Sequence, residues 1–237
     1  MAGRRRACPP PPAGKIRPMD PAQTAPIIET FPVGPLQCNC TILGDPATGE
    51  AIVVDPGDEL EKVLAALSRH KLRCRAIVNT HTHIDHVGAN HALRERTGAR
   101  VMMHEADVVL YDHLGVQAEM LGLGPAPPRS TVDEHIHQGD HVRAGGMEIE
   151  VLHTPGHTPG SLCFHRPGTA PLLLSGDTLF AGSIGRTDLW GGDHDQEIAS
   201  IRTRLLALDD HTRVIPGHGP ETTIGRERRR NPFLVGL

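Results

Sequence analysis

The sequence predicts an α/β protein in which two β-sheets pack face to face with helices on their outer sides. Three observations point there. Short, β-rich apolar runs bounded by Gly/Pro turns alternate with stretches of helical spacing. The runs fall into two β-rich halves, each punctuated by helices, the pattern of layered α/β folds. Hydrophobic residues are 38% and charged residues 22% of 237, an ordinary globular balance able to bury a sizeable core.

Residues 1–26 stand apart. They hold seven of the 21 prolines and the run Arg4–Arg6, with no apolar signal segment. They are expected to be a disordered Pro/Arg-rich tail, or to lie upstream of a start at Met19. Residues 27–237 are expected to form one domain. Ile27–Val33, Cys38–Leu43 and Ala51–Val54 read as strands split by turns at Gly34-Pro35 and Asp45-Pro46. Glu59–His70 reads as a helix with Leu60, Val63, Leu64 and Leu67 on one stripe. Ala76–Asn79 is a strand, Gly88–Thr97 a helix and Arg100–Met103 a strand. Residues 112–133 read as loop, given Gly122, Gly124, Pro125, Pro127 and Pro128. Met147–Leu152, Leu162–His165 and Pro171–Leu174 are strands. Gln196–Leu208 is a helix with Ile198, Ile201, Leu205 and Leu208 on one side, and Val214-Ile215 is a last strand.

Six aromatic residues and sixteen histidines are the outliers in composition. Collected imidazoles point to metal. Scarce aromatics point to a site that grips its substrate through metal and polar contacts. The net charge of −4 lacks the basic signature of phosphate binding, so nucleic acid is not an expected partner. No run approaches the roughly 20 apolar residues of a membrane span, so no membrane is expected either. The five cysteines form no C-x-x-C pair. They are expected as buried thiols in a reducing, cytoplasmic compartment, with Cys38 and Cys40 sharing a strand face.

The chemistry concentrates in Thr80-His81-Thr82-His83-Ile84-Asp85-His86, directly after a strand. Residues two apart on an extended segment point the same way, so His81 and His83 reach one metal together. The turn into the following helix swings Asp85 and His86 toward a neighbouring position. Three imidazoles and a carboxylate suit a borderline metal such as zinc. Three further strands run into tight Gly/Pro turns that each carry a ligand type: Pro155-Gly156-His157, Gly176-Asp177 and Pro216-Gly217-His218. Together they supply the two imidazoles and one carboxylate that complete two sites.

These motifs, in this order, resemble the metallo-β-lactamase-fold hydrolases over essentially all of residues 27–237. The resemblance implies a four-layer αβ/βα sandwich with a dinuclear site at the edge between the sheets. It implies that His81, His83 and His157 hold one metal, that Asp85, His86 and His218 hold the other, and that Asp177 bridges them. Asp55, in Val54-Asp55-Pro56-Gly57, is similar to the family acid that orients the ligand loop; a turn-initiating Asp is the other reading. Leu179–Asp188, the segment around Thr223-x-Gly225-x-Glu227, and Asn231-Pro232-Phe233 resemble the short glyoxalase II-like (hydroxyacylglutathione hydrolase-type) thioesterases. Only 19 residues follow His218, too few for the helical C-terminal domain with which the longer members hold glutathione.

What the resemblance implies is metal-dependent thioester hydrolysis with two divalent ions, zinc expected and iron or manganese compatible. The substrate expected is a small thioester, an S-(2-hydroxyacyl)glutathione such as S-lactoylglutathione. Asp85 is expected to orient the attacking water as well as bind metal. Arg186, in Gly185-Arg186-Thr187-Asp188, either meets a substrate carboxylate or pairs with Asp188 to brace its loop. Arg226 and Arg228–Arg230 read as a solvated helix face. His104 reads as a helix start. Related activities of the fold are a one-iron persulfide dioxygenase, which shares the H-x-H-x-D-H string and a G-R-T-D segment, and lactone or phosphodiester hydrolysis. True β-lactamases of the fold usually carry a Cys ligand and lack the bridging Asp.

Overall fold

A computed structural model of the chain describes residues 25–236. The tail expectation, and Cys8 with it, therefore falls outside the described residues apart from Ala25 and Pro26. The first sheet takes strands in spatial order β1 (Ile27–Val33), β2 (Cys38–Asp45), β3 (Glu50–Val54), β4 (Arg73–Val78), β5 (Arg100–Met103) and β6 (Glu134–His135). β1, β2 and β3 pair antiparallel, whereas β3 to β6 run parallel. The second sheet contains β7 (His141–Ala144), β8 (Met147–His153), β9 (Leu162–Arg166) and β10 (Leu172–Gly176). A small hairpin follows, β11 (Leu179–Phe180) with β12 (Ser183–Ile184). β13 (Arg213–Pro216) then lies parallel to β10, and β14 (Thr222–Thr223) closes that edge.

The layers follow from side-chain parity. Ile52 and Val54 of β3, with Ala76 and Val78 of β4, meet Ile149, Val151, Leu162, Phe164, Leu172 and Leu174 in the core between the sheets. Ala51 and Val53 of β3, with Cys74 and Ile77 of β4, face outward onto helices. A strand covered on both sides reads as a continuous apolar run. A register shift between Ala51 and Ile52 leaves Arg75 unopposed, which is why Cys74 and Ile77 share a face although three residues apart. The outer helices of the first half are α1 (Leu60–Arg69), α2 (Ile84–Val87), α3 (Asn90–Thr97), α4 (Val108–Asp112) and α5 (Leu114–Leu121). On the second half, α6 (His194–Ser200) and α7 (Ile224–Arg230) cover Leu152, Cys163, Leu173 and Val214. The result is the expected αβ/βα sandwich. Cys38, Cys40, Cys74 and Cys163 are buried free thiols, and Cys38 and Cys40 do lie in one cluster.

Three sequence expectations need correction. The loop over residues 112–133 contains the helix α5. Its Gly/Pro cluster begins at Gly122, which ends α5 in a left-handed conformation (φ 64°), so those residues terminate a helix and do not fill its place. The helix expected over Gly88–Thr97 begins at Asn90, and a separate one-turn helix, Ile84–Val87, precedes it and carries Asp85 and His86. The helix expected over Gln196–Leu208 opens at His194, capped by Asp193 accepting from Gln196 N–H, and widens to a π turn over Ile201–Leu205. No helix among the described residues is long and apolar enough to cross a membrane.

Candidate active site

Four strand ends converge at one edge of the sandwich. β4 leads into Thr80–His86, β8 into the turn of His157, β10 into Asp177 and β13 into His218. His81 Nε2, His83 Nδ1 and His157 Nε2 form a triangle with sides of 2.9, 3.0 and 3.3 Å. Asp85, His86 and His218 form a second group, with His218 Nε2 3.2 Å from Asp85 Oδ2 and 3.3 Å from His86 Nε2. Asp177 stands between the groups. Its Oδ2 is 3.8 Å from His157 Nε2 and 3.7 Å from His218 Nε2, and its Oδ1 is 3.5 Å from His86 Nε2.

The outward nitrogens set the tautomers. His157 Nδ1 faces the carbonyl of Arg186 at 2.8 Å, and His218 Nδ1 that of Leu36 at 3.0 Å. A carbonyl only accepts, so both Nδ1 atoms carry the proton. Thr80 Oγ1 donates to Asp55 Oδ2 at 2.7 Å, so it accepts from His81 Nδ1 at 3.1 Å. His86 Nδ1 donates to the same carboxylate at 3.0 Å. Four Nε2 lone pairs are thereby aimed inward. Burial, reinforced by the neighbouring imidazoles, pushes His81 well below the ordinary histidine range and His83 down to about 3. Protons are therefore poor fillers of the His81, His83 and His157 group, whereas at His86 and His218 the surrounding negative groups outweigh burial and hold both above the ordinary histidine range. Bare nitrogens about 3 Å apart repel unless a cation lies among them, and Asp177 Oδ1 is buried without a hydrogen-bond partner. The donor set fits divalent metal.

Buried acids hold the ligand loops. Asp55 accepts from Thr80 N–H at 2.8 Å as well as from His86 and Thr80 Oγ1, so it both shapes the turn and orients an imidazole. Sequence reasoning missed three further residues. Asp107 accepts from Thr82 N–H (3.1 Å), Thr158 Oγ1 (2.9 Å) and Gly160 N–H (2.6 Å), tying the loop of His81 and His83 to that of His157. Glu197 accepts from His157 N–H at 2.9 Å, and burial pushes its carboxyl up to about 9. Gln117 accepts from Ile84 N–H at 2.8 Å and donates to Leu110 O at 2.9 Å, pinning α5 to the histidine loop. Glu197 had a signal: it lies four and eight residues before Ile201 and Leu205, on the apolar stripe of its helix. Asp107 and Gln117 had none. His104 caps a short helical turn, accepting from Ala106 N–H, as its helix-start reading expects.

The metal-type ligands floor a cleft of about 440 Å³. His83, Asp85, His157, Asp177 and His218 all line it. Its walls are Leu36, Leu110, Val116, Met120, Leu121, Leu189 and Trp190, with His113, Gln117 and Arg186. The expectation of a mainly polar grip is thus corrected: the wall is apolar, and most of it comes from α4 and from α5, the latter lying in the segment that reads as loop in the sequence. Arg186 lines the cleft, but its guanidinium is engaged with Asp188 by two bonds of 2.7 and 2.8 Å.

Comparison with known proteins places this geometry. The hydroxyacylglutathione hydrolase GloC of Haemophilus influenzae is 41% identical over 211 residues, covering 87% of this chain and 97% of the relative. A crystal structure described as BLEG-1 B3 metallo-beta-lactamase is 38% identical with a TM-score of 0.82, covering 89% of this chain and all of that one. TTHA1623, solved in a di-iron-bound form, is 41% identical with a TM-score of 0.77, covering 87% of this chain and all of that one. The profile of the metallo-beta-lactamase superfamily matches residues 33–218, from the end of β1 to the last histidine of the cluster. The chain belongs to that superfamily of metal-dependent hydrolases.

Proposed function

We propose that the protein is a dinuclear thioesterase that cleaves small thioesters of the S-(2-hydroxyacyl)glutathione type, such as S-lactoylglutathione. The observation that carries the reading is Asp177, set between two complete three-ligand groups on the floor of an open cleft. In this reading His81, His83 and His157 hold one ion, Asp85, His86 and His218 the other, and Asp177 touches both. The ions, when bound, supply the charge that acidifies water and polarises a carbonyl. Asp85, facing the cleft, orients the attacking water and accepts its hydrogen bond. Asp55 and the carbonyls of Arg186 and Leu36 keep the imidazole nitrogens aimed inward. A thiol of ordinary pKa near 8.5 leaves as thiolate, so the cleft needs no separate strong acid. Zinc is the expected metal; the relative described with two irons makes iron the first alternative, and this donor set accepts both.

The test pairs metal analysis of the purified protein with turnover. Two metals per chain and thiol release from S-lactoylglutathione support the thioesterase. One iron with oxygen uptake on glutathione persulfide would sink it. The likeness to a described β-lactamase supports a second reading, β-lactam hydrolysis. A chromogenic cephalosporin cleaved faster than any thioester would put that activity first.

A further inference from the structure

We propose that the thioester this site takes carries an apolar arm beside its carbonyl, laid along the groove between α4–α5 and the Leu189-Trp190 segment. The inference rests on the thioesterase reading and names its substrate class. The groove is continuous with the ligand floor, since one cleft contains both. Its lining takes Leu110, Val116, Met120 and Leu121 from α4–α5, and Leu189 and Trp190 from the segment before α6. Met120 is 74% and Trp190 60% exposed. Large apolar side chains this open to water, gathered around a ligand cleft, mark a surface that something apolar covers.

The charges agree. Among the described residues that line the cleft, Arg186 is the one Arg or Lys, and the Nε–Nη2 edge of its guanidinium is taken by Asp188. Substrate carboxylates would meet one cation there, partly neutralised by Asp188, so most of the cleft wall is left to apolar contact. The wall is also held in place. Gln117 bonds α5 to Ile84 N–H of the histidine loop, and the rings of His113 and Trp190 meet edge to face at 5.3 Å. An arm in the groove would therefore be fixed relative to the reacting carbonyl, which is how remote binding energy reaches the chemical step.

Trp190 is the only tryptophan of the chain, so its fluorescence reports the groove directly. The metal-loaded full chain is titrated with S-methyl-, S-butyl-, S-hexyl- and S-octylglutathione, thioethers with no bond to hydrolyse. A buried methylene is worth up to about fourfold in affinity. From methyl to hexyl the dissociation constant should fall at least tenfold, with a blue shift of the emission. Met120→Ser with Leu121→Ser should flatten that dependence. Equal affinity for methyl and hexyl, or a length dependence untouched in the double variant, overturns the inference. Turnover then locates the arm: S-acylglutathiones vary the acyl side, and acetyl thioesters of alkanethiols vary the thiol side. A rise of kcat/KM with length in either series supports the inference, and a flat response in both overturns it. If the thioethers bind with length dependence but no thioester is cleaved, the thioesterase reading fails while the apolar groove stands.

Discussion

Asp177 reaches both ligand groups because the residue beside it has no side chain. A Cβ on Gly217 would overlap Asp177 Oδ1 and come within 2.8 Å of His86 Cε1. Gly217→Ala must displace one of them, and displacement of about 1 Å at a reacting centre costs on the order of a hundredfold in rate. The expected outcome is at least tenfold weaker binding of one metal equivalent, read by metal titration, with hydrolysis falling in parallel. Unchanged affinity for both equivalents would show that the overlap relaxes elsewhere. His157→Ala and Asp177→Ala are expected to lose metal and most activity, and full occupancy in both variants would refute the ligand assignment. Arg186 is a different case. Its pairing with Asp188 leaves Arg186→Lys without the two-pronged bond, but the carbonyl that holds His157 Nδ1 belongs to the backbone and remains.

At the scale of elements, the ligand loops are held by acids on neighbouring segments, and Asp107 is the clearest case. It is fully buried, and burial raises its carboxyl to about 6, against the opposing pull of Thr158 Oγ1 and the N–H groups of Gly160 and Thr82. The folded state thus keeps a proton that the unfolded chain releases near pH 4. Stability from this group is complete below about pH 4, falls as pH rises toward about 6, and is level above. The span corresponds to at most about 3 kcal/mol. Urea unfolding of wild type and Asp107→Asn between pH 3.5 and 7.5 should show that fall in the wild type alone. Equal slopes in the two proteins would mean that Asp107 does not titrate there. The same scale shows what was legible in the sequence. The histidine string stood out by the density of ligand types directly after a strand, and His157, Asp177 and His218 because each follows a strand in a Gly/Pro turn. β1 and β5 were readable to the residue from their apolar runs. α5 was not, because its stop signal at Gly122 and the prolines beyond masked a weakly patterned helix. Asp107 and Gln117 were illegible because a residue that acts through backbone groups distant in sequence leaves no local motif.

At the scale of the whole molecule, the site is a seam between the two sheets. His81, His83, Asp85 and His86 follow β4 of the first sheet, whereas His157, Asp177 and His218 follow β8, β10 and β13 of the second. Backbone bonds already cross there: Leu162 N–H donates to Thr80 O at 2.7 Å, and Asn39 N–H donates to Gly217 O at 2.7 Å. Each proposed ion takes ligands from both sheets, so each would clamp the halves as well as serve chemistry. Ligands that bind only the folded state stabilise it by mass action, about 4 kcal/mol at a thousandfold excess over the dissociation constant. In a chain of this size 1 kcal/mol moves the melting temperature by roughly 2–4 °C. Removing both ions with a chelator is therefore expected to lower the midpoint on the order of 10–30 °C, reversibly on adding metal back, in scanning calorimetry with metal content measured on the same samples. Repulsion among the inward-facing nitrogens of His81, His83 and His157 adds to the loss, because the same cage that a cation holds together pushes apart without one. A metal-free protein that melts where the loaded one does would mean that the sheets are clamped by their core and backbone bonds alone, and that the ligand cluster contributes nothing to holding them together.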